Sequence, residues 1–465
     1  MAKNIVIFSD GTAMAGGRRP DQLLSNVYKL YNASRPGVES IIDPAEQLCF
    51  YEAGLGTKEI SGTPWFRPLS YARKFLSLGL GTGLMSNVSD CYKLILKYYE
   101  PGDRIFLFGF SRGAYTVRTL CSVMNLCGVP THDLDNSDLP RGGKALSRIA
   151  DEAVFKVYGH GAGKSREKYE TEREELASRF RQKYGAQDDL IENKRGNVVP
   201  YCVGVFDTVA SLGASGVRRA AILGLSGVVL AFFSFIAVHA LNWLLPIDLS
   251  DSFLLFFFCI VLVSTAINFK SQYRSIRDFP ERGDHKWHLA AWRFRDYDMF
   301  LDPRVRYARH AIALDEERCS FSRVGWAREA DVQNAPEDWL VQKWFPGNHS
   351  DIGGGTYPEP ESRLSDISLQ WMLDEVTALP DGLKIDKSKI NLFPDPTGVQ
   401  HCEVRAVRDM YPPWVPMKFR ITWRRELRSG VTREACHESV FRRMYEEYVY
   451  RNGDKIKYRP AQLHD

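Results

Sequence analysis

Nothing in the spacing of this 465-residue chain points to a redox scaffold or a bound metal. Its nine cysteines (Cys49, Cys91, Cys121, Cys127, Cys202, Cys259, Cys319, Cys402 and Cys436) are odd in number and never spaced C-x-x-C. That argues against a disulfide framework and a structural zinc site, and fits a reducing compartment. H-E-x-x-H and EF-hand patterns are missing, so no metal or other cofactor is expected. Charge of one sign is missing too: 61 Lys and Arg balance 57 Asp and Glu, so no nucleic-acid partner is expected. There are no internal repeats and no low-complexity linkers, and 44% hydrophobic residues exclude a disordered chain. A secretory leader is not expected either, because Met1-Ala2-Lys3 runs straight into Ile5-Val6-Ile7-Phe8, too short for a signal core.

What the chain does have is one long apolar block. Ala220 to Leu245 is broken only by small residues, His239 and Asn242, and Phe253 to Phe269 is apolar again after a short acidic turn. A membrane-spanning helix needs roughly 20 apolar residues, so both runs qualify as spans of a helical hairpin. Arg218 and Arg219 precede the first run, while Lys270, Arg274 and Arg277 follow the second. Asp248 and Asp251 occupy the turn. The positive-inside rule therefore puts both ends of the chain in the cytoplasm and the turn across the membrane. The competing reading is a hairpin buried within a soluble protein.

Around the block, short apolar runs alternate with longer amphipathic stretches. Ile5–Phe8, Arg104–Phe108, Val198–Phe206 and Val341–Phe345 read as buried strands. Residues 164–195 read as a solvated helix, and Arg306–Leu314 has helical spacing. Strands alternating with helices predict an α/β fold, a mostly parallel sheet flanked by helices. The expected organisation is one catalytic domain in two parts, 1–217 and 271–465, interrupted by the hairpin at 218–270.

The chemistry begins at Gly109-Phe110-Ser111-Arg112-Gly113, a G-x-S-x-G between a strand and a helix. That context lets a tight turn lift a serine nucleophile clear of the sheet. A serine nucleophile needs a base and an acid, in chain order Ser, Asp or Glu, His. Asp207 and His349 both follow buried strands and fill that order. His310 is the rival base and Asp351 the rival acid, the latter pointing elsewhere if its loop is extended. An oxyanion hole would use the N–H of Arg112 and a second donor from Asp10-Gly11-Thr12, after the opening strand. Two glycine-rich stretches are decoys. Tyr158–Ser165 has tyrosine where a P-loop needs its first glycine, and Gly79–Leu84 is not G-x-G-x-x-G.

Several segments together resemble the α/β-hydrolase family catalogued as domain of unknown function 2235. They are Ser9–Thr12, Ser25–Tyr28, Gly54–Thr57, Phe108–Tyr115, Gly204–Val209, Arg309–Glu316 and Trp344–Gly355. Members of that family include phospholipase effectors of type VI secretion, which cleave glycerophospholipids with a Ser-Asp-His triad. Carried over motif by motif, the triad falls on Ser111, Asp207 and His349. The resemblance implies an α/β-hydrolase-like fold and a serine hydrolase acting on phospholipid acyl esters. Its expected partners are a phospholipid bilayer and a lipid substrate, and its expected place is the bacterial inner membrane, as a multi-pass protein. A homo-oligomer or a regulatory protein stays open. So do a soluble-ester esterase or thioesterase and a non-catalytic membrane scaffold.

The stretch from Asp207 to the first apolar run is too short to carry the chain around the domain, because an extended residue reaches only about 3.3–3.6 Å. The hairpin should therefore leave from the face that displays Ser111.

Overall fold

The computed structural model describes residues 2–463 apart from 13, 18–21, 55–82, 163, 165, 189–194, most of 210–252, 291–299, 328, 359, 410, 411, 413 and 417–422. Eight of its strands are, in chain order, β1 Asn4–Ser9, β2 Gln47–Glu52, β3 Arg104–Phe110, β4 Cys202–Phe206, β5 Tyr273–Arg277, β6 His285–Leu289, β7 Tyr307–Ala313 and β8 Leu340–Phe345. Six form one sheet in the order β2-β1-β3-β4-β7-β8, and β5 pairs with β6 as a separate hairpin. Every pairing in the large sheet is parallel.

Parallel strands need long crossovers, usually helical, and these cover both faces of the sheet. The alternation along the strands shows it. Ile5, Ile7, Ile105, Leu107, Val203 and Val205 point into one core, shared with helices α2 (Gly83–Tyr98) and α3 (Arg112–Cys127). Val6, Phe8, Phe106, Phe108, Cys202 and Phe206 point into the other. That second core is closed by α1 (Asn26–Ser34) and by the helix Arg363–Thr377. The fold is α/β, and chain on both sides of the apolar block completes the one sheet.

Three sequence expectations change. Arg306–Leu314 is not helical: Tyr307–Ala313 is a strand buried on both faces, so its polar residues are packed inside rather than spaced along a helix. The chain after β8 is not an extended loop. Asn348 caps a short helix, His349–Gly353, by accepting from Asp351 N–H at 2.9 Å, while Asp351 returns a bond to Asn348 N–H at 3.0 Å. Within 164–195 the helix Glu170–Tyr184 is present but is not wholly solvated, since Arg173, Ala177, Phe180, Arg181 and Tyr184 are buried. At the P-loop decoy, Tyr158–Gly161 is a helical turn that follows helical residues Glu152–Val157, so no strand precedes it.

Of the two apolar runs, the second forms the helix Phe253–Gln272. In the first, only Phe232, Phe235, Ile236 and His239 are described, all helical. Arg218, Arg219, Asp248 and Asp251 lie outside the described residues, as do Leu55–Thr57 and Gly79–Thr82. Among the described residues no helix is long and apolar enough to cross a membrane. Several side chains of Phe253–Gln272 are outside that set. Most of the apolar side chains that are described stand out from the protein: Phe232, Phe235 and Ile236 in the first run, and Phe258, Leu262, Val263 and Phe269 in the second, are exposed, while Val261 is half-buried.

Candidate active site

The site lies at the C-terminal edge of the sheet, where β1, β3, β4 and β8 all deliver side chains. Phe110 pairs with Phe206, so the next residues, Ser111 and Asp207, leave neighbouring strands at the same level. Ser111 N–H still donates to Phe206 O at 3.1 Å, and Asp207 N–H to Ala311 O at 2.7 Å. Both residues then turn sharply, Ser111 with φ 57° and Asp207 with φ 38°. A positive φ in a non-glycine residue is strained and persists only where the surroundings enforce it.

The strain is set by packing at the glycine two positions on. A Cβ on Gly113 would lie 2.0 Å from Ser9 O, so only glycine lets the start of α3 approach β1 this closely. Gly113→Ala should lower stability by roughly 1–3 kcal/mol and disturb the turn that displays Ser111. A drop in the urea midpoint at constant slope checks it, and an unchanged midpoint would mean that the elbow can relax.

Three side chains meet here across long stretches of sequence. His349 Nε2 lies 2.8 Å from Ser111 Oγ, and His349 Nδ1 lies 2.6 Å from Asp207 Oδ2. All three are buried. The imidazole is held between two aromatic rings. Phe110 stacks on it at 4.7 Å between centroids, and Phe321 meets it edge-on at 5.1 Å. Its backbone is fixed as well, because His349 N–H donates to Glu316 Oε2 at 3.2 Å.

Asp207 has a further partner that no local pattern announces. Arg428 Nη1 donates to Asp207 Oδ1 at 2.5 Å, and Arg428 Nη2 to Asp207 Oδ2 at 3.0 Å. The same guanidinium donates to Ala313 O and Phe321 O, so it ties the acid to β7 and to the loop packed on His349. Ala313 N–H also donates to Asp207 Oδ1, at 2.9 Å. Burial alone would push the Asp207 carboxyl up. The Arg428 charge and the His349 hydrogen bond outweigh it and hold Asp207 well below the usual carboxylate range. Asp207 is therefore an ionised acceptor aimed at His349 Nδ1.

The loop after β1 forms the neighbouring wall. Asp10 is buried and accepts from Ser25 Oγ at 2.5 Å, Tyr51 OH at 2.6 Å and Gly11 N–H at 2.7 Å. Burial pushes its carboxyl up to about 6 against these three bonds. Gly11 was expected to supply an oxyanion donor, but its N–H is already given to Asp10. Thr12 is the residue of this loop with capacity to spare, since its Oγ1 is buried without a partner. Arg112, the other expected donor, starts α3 directly after Ser111.

The sequence motifs around Gly54 and Ser25 now have structural roles. A Cβ on Gly54 would lie 1.6 Å from Gly11 O, so that glycine lets the β2 loop press on the β1 loop. Ser25 caps α1 and anchors Asp10, while Asn26 Nδ2 donates to Ile352 O at 2.8 Å, joining the β1 side of the site to the helix that carries His349.

The alternative residues do not reach Ser111. His310 is fully buried in β7, where its Nε2 accepts from Thr208 N–H at 3.4 Å and its Nδ1 faces Gln342 Oε1 at 3.3 Å. Burial, aided by the nearby Arg118 and Arg323, pushes its imidazole well below the usual range, so it sits neutral in the core. Asp351 turns toward His401, accepting from His401 Nδ1 at 2.6 Å, and stays out of the Ser111–His349 line. Among the described residues, no three His, Cys, Asp or Glu side chains are grouped as metal ligands.

Residues 3–242 and 263–375 match the type VI secretion phospholipase effector family, Tle1-like, catalytic domain. The chain belongs to that family. Its matched segments carry Ser111, Asp207 and His349, whereas Arg428 lies beyond them. An uncharacterised protein of Saccharomyces cerevisiae is 26% identical over 440 residues, which cover 84% of this chain and 59% of that protein. The chain thus spans somewhat less than two thirds of that relative's length. A crystal structure of an uncharacterised protein from Pseudomonas aeruginosa covers 83% of this chain and 46% of its own, with 16% identity and a TM-score of 0.33. That likeness is too distant to bear on fold or chemistry.

Proposed function

We propose that this chain is a membrane-attached serine hydrolase that cleaves acyl esters of glycerophospholipids through an acyl-enzyme. The observation that carries the reading is the unbroken line Ser111–His349–Asp207 at the sheet edge of a chain in a phospholipase-effector family. His349 Nε2 takes the Ser111 proton as Oγ attacks the ester carbonyl, and Asp207 steadies the imidazolium that forms. The N–H groups of Arg112 and Thr12 serve the tetrahedral oxyanion, with the Thr12 hydroxyl available as a third donor. His349 then gives its proton to the departing alcohol oxygen. A water molecule, activated by the same imidazole, releases the fatty acid and restores Ser111. Family membership favours phospholipid over a soluble ester as the substrate.

Membrane attachment rests on the two apolar runs and on the apolar side chains they present. Exposed Phe258, Leu262, Val263 and Phe269 form a surface that water disfavours and lipid accepts. In this reading the runs form a hairpin with both chain ends in the cytoplasm. Lys270, exposed at the end of the second run, then sits at head-group level, where a basic residue gains roughly 1 kcal/mol from anionic lipid.

The test is purified protein on mixed phospholipid vesicles, with the products identified by mass spectrometry. Free fatty acid with the matching lysophospholipid is expected, and intact lipid beside a hydrolysed soluble ester would favour the esterase reading instead. Deleting Ala220–Phe269 should cut activity on vesicles far more than on a short-chain soluble ester. Equal losses on both would reduce the apolar block to a tether.

A further inference from the structure

A cavity of about 610 Å³ opens beside the Asp207 end of the site, and neither Ser111 nor His349 lines it. Three guanidiniums do: Arg318, Arg323 and Arg428. Two of them are neutralised. Arg318 makes two 2.8 Å bonds to Glu316, and Arg428 grips Asp207 with both terminal nitrogens. Arg323 has no such partner. Its Nη2 donates to the neutral amide of Gln342 at 3.2 Å, its guanidinium lies 5.4 Å from the Trp344 ring centre, and its buried Nε has no acceptor. No carboxylate pairs with it among the described residues. The one carboxylate in the cavity lining, Glu426, is exposed. The Nε of Arg428 is likewise buried without an acceptor.

Arg323 is half-buried, and a guanidinium that lines a cavity with an unfilled donor and no paired carboxylate offers its charge to an anion. The planar fork of arginine matches the oxygens of phosphate. The volume lies within the range of small-ligand pockets, roughly 300–1,000 Å³. Burial and the neighbouring Arg428 lower the proton affinity of Arg323 and outweigh the more distant Asp207 carboxylate, which already spends its hydrogen bonds on Arg428 and His349.

We infer that this cavity binds a phosphate ester, with Arg323 as the residue that pairs with the phosphate oxygens. The phosphate has two sources, the head group of a lipid or a soluble phosphate ester. The inference rests on the phospholipase reading only for the first of these.

Trp326 lines the cavity and reports on its occupancy. Titrating glycerol 3-phosphate into the Ser111→Ala protein should give a saturable change in tryptophan fluorescence, whether or not the wild type is a phospholipase. Arg323→Gln should weaken that binding by roughly tenfold or more, the loss of one charge-assisted contact, and Arg323→Lys should recover part of it. Thermal unfolding of both variants shows that the loss is not a folding defect. If glycerol 3-phosphate competes with phospholipid vesicles in the wild type, the site serves the head group. If it binds without competing, the site serves a soluble ester. Absence of saturable binding at millimolar concentrations, or equal affinity in folded Arg323→Gln, overturns the assignment.

Discussion

Ser111→Ala should abolish acyl-ester hydrolysis, lowering kcat by roughly 10⁴-fold or more and leaving only what substrate binding and the oxyanion donors supply. His349→Ala should be as severe, because the same 2.8 Å contact is lost from its other end. The double variant should be scarcely worse than either single one, since the two groups act as a unit. Asp207→Asn should be milder than His349→Ala, as it leaves an acceptor beside Nδ1 but removes the charge that steadies the imidazolium. His310→Ala is the control. It should retain turnover in the folded fraction, and a dead His310→Ala beside an active His349→Ala would show that the base had been misassigned.

Arg428→Met should produce the second large effect, on stability rather than on chemistry alone. Removing one partner of a buried ion pair leaves an uncompensated charge, a loss of about 3–5 kcal/mol. The pH dependence gives the sign. In the wild type the Asp207 carboxyl is held below its ordinary value, so its contribution is complete above the unfolded pKa near 4 and is lost as pH falls below it. Without Arg428 the burial that raises this pKa is opposed only by the His349 and Ala313 N–H hydrogen bonds, and the buried charge becomes a liability at neutral pH. The gap in unfolding free energy between wild type and variant should therefore be widest near pH 7 and shrink toward pH 4. A gap that stays constant across that range would mean that Arg428 acts by packing and not by charge.

The strands before the site are short, mostly apolar runs, although the last, Leu340–Phe345, carries Gln342 and Lys343 and is buried only at Trp344 and Phe345. Much of the site was legible because of those runs and because functional residues follow strand ends. Ser111, Asp207 and His349 could be placed at one edge from that rule alone, and the distances agree with it. The strand Tyr307–Ala313 was misread for a physical reason. Arg309 and His310 look solvent-facing in sequence, but in the fold Arg309 is paired with Glu375 at 2.5 Å and His310 is enclosed by Thr208 and Gln342. No sequence pattern shows that the carboxylate of its own neighbour, Asp10, takes the N–H of Gly11. Arg428 had no signal at all. It sits in a run of charged residues 221 positions from Asp207, and only the closed tertiary structure brings the two together.

The central claim is that Ser111 is the nucleophile and His349 its base. A fluorophosphonate ester tests it directly, because it phosphonylates an activated serine with loss of fluoride and leaves unactivated serines alone. Intact-mass and peptide analysis should find a single adduct on the peptide that contains Ser111, with labelling slowed severely in His349→Ala. An adduct on another residue, or a Ser111 labelled as fast without His349 as with it, would contradict the account.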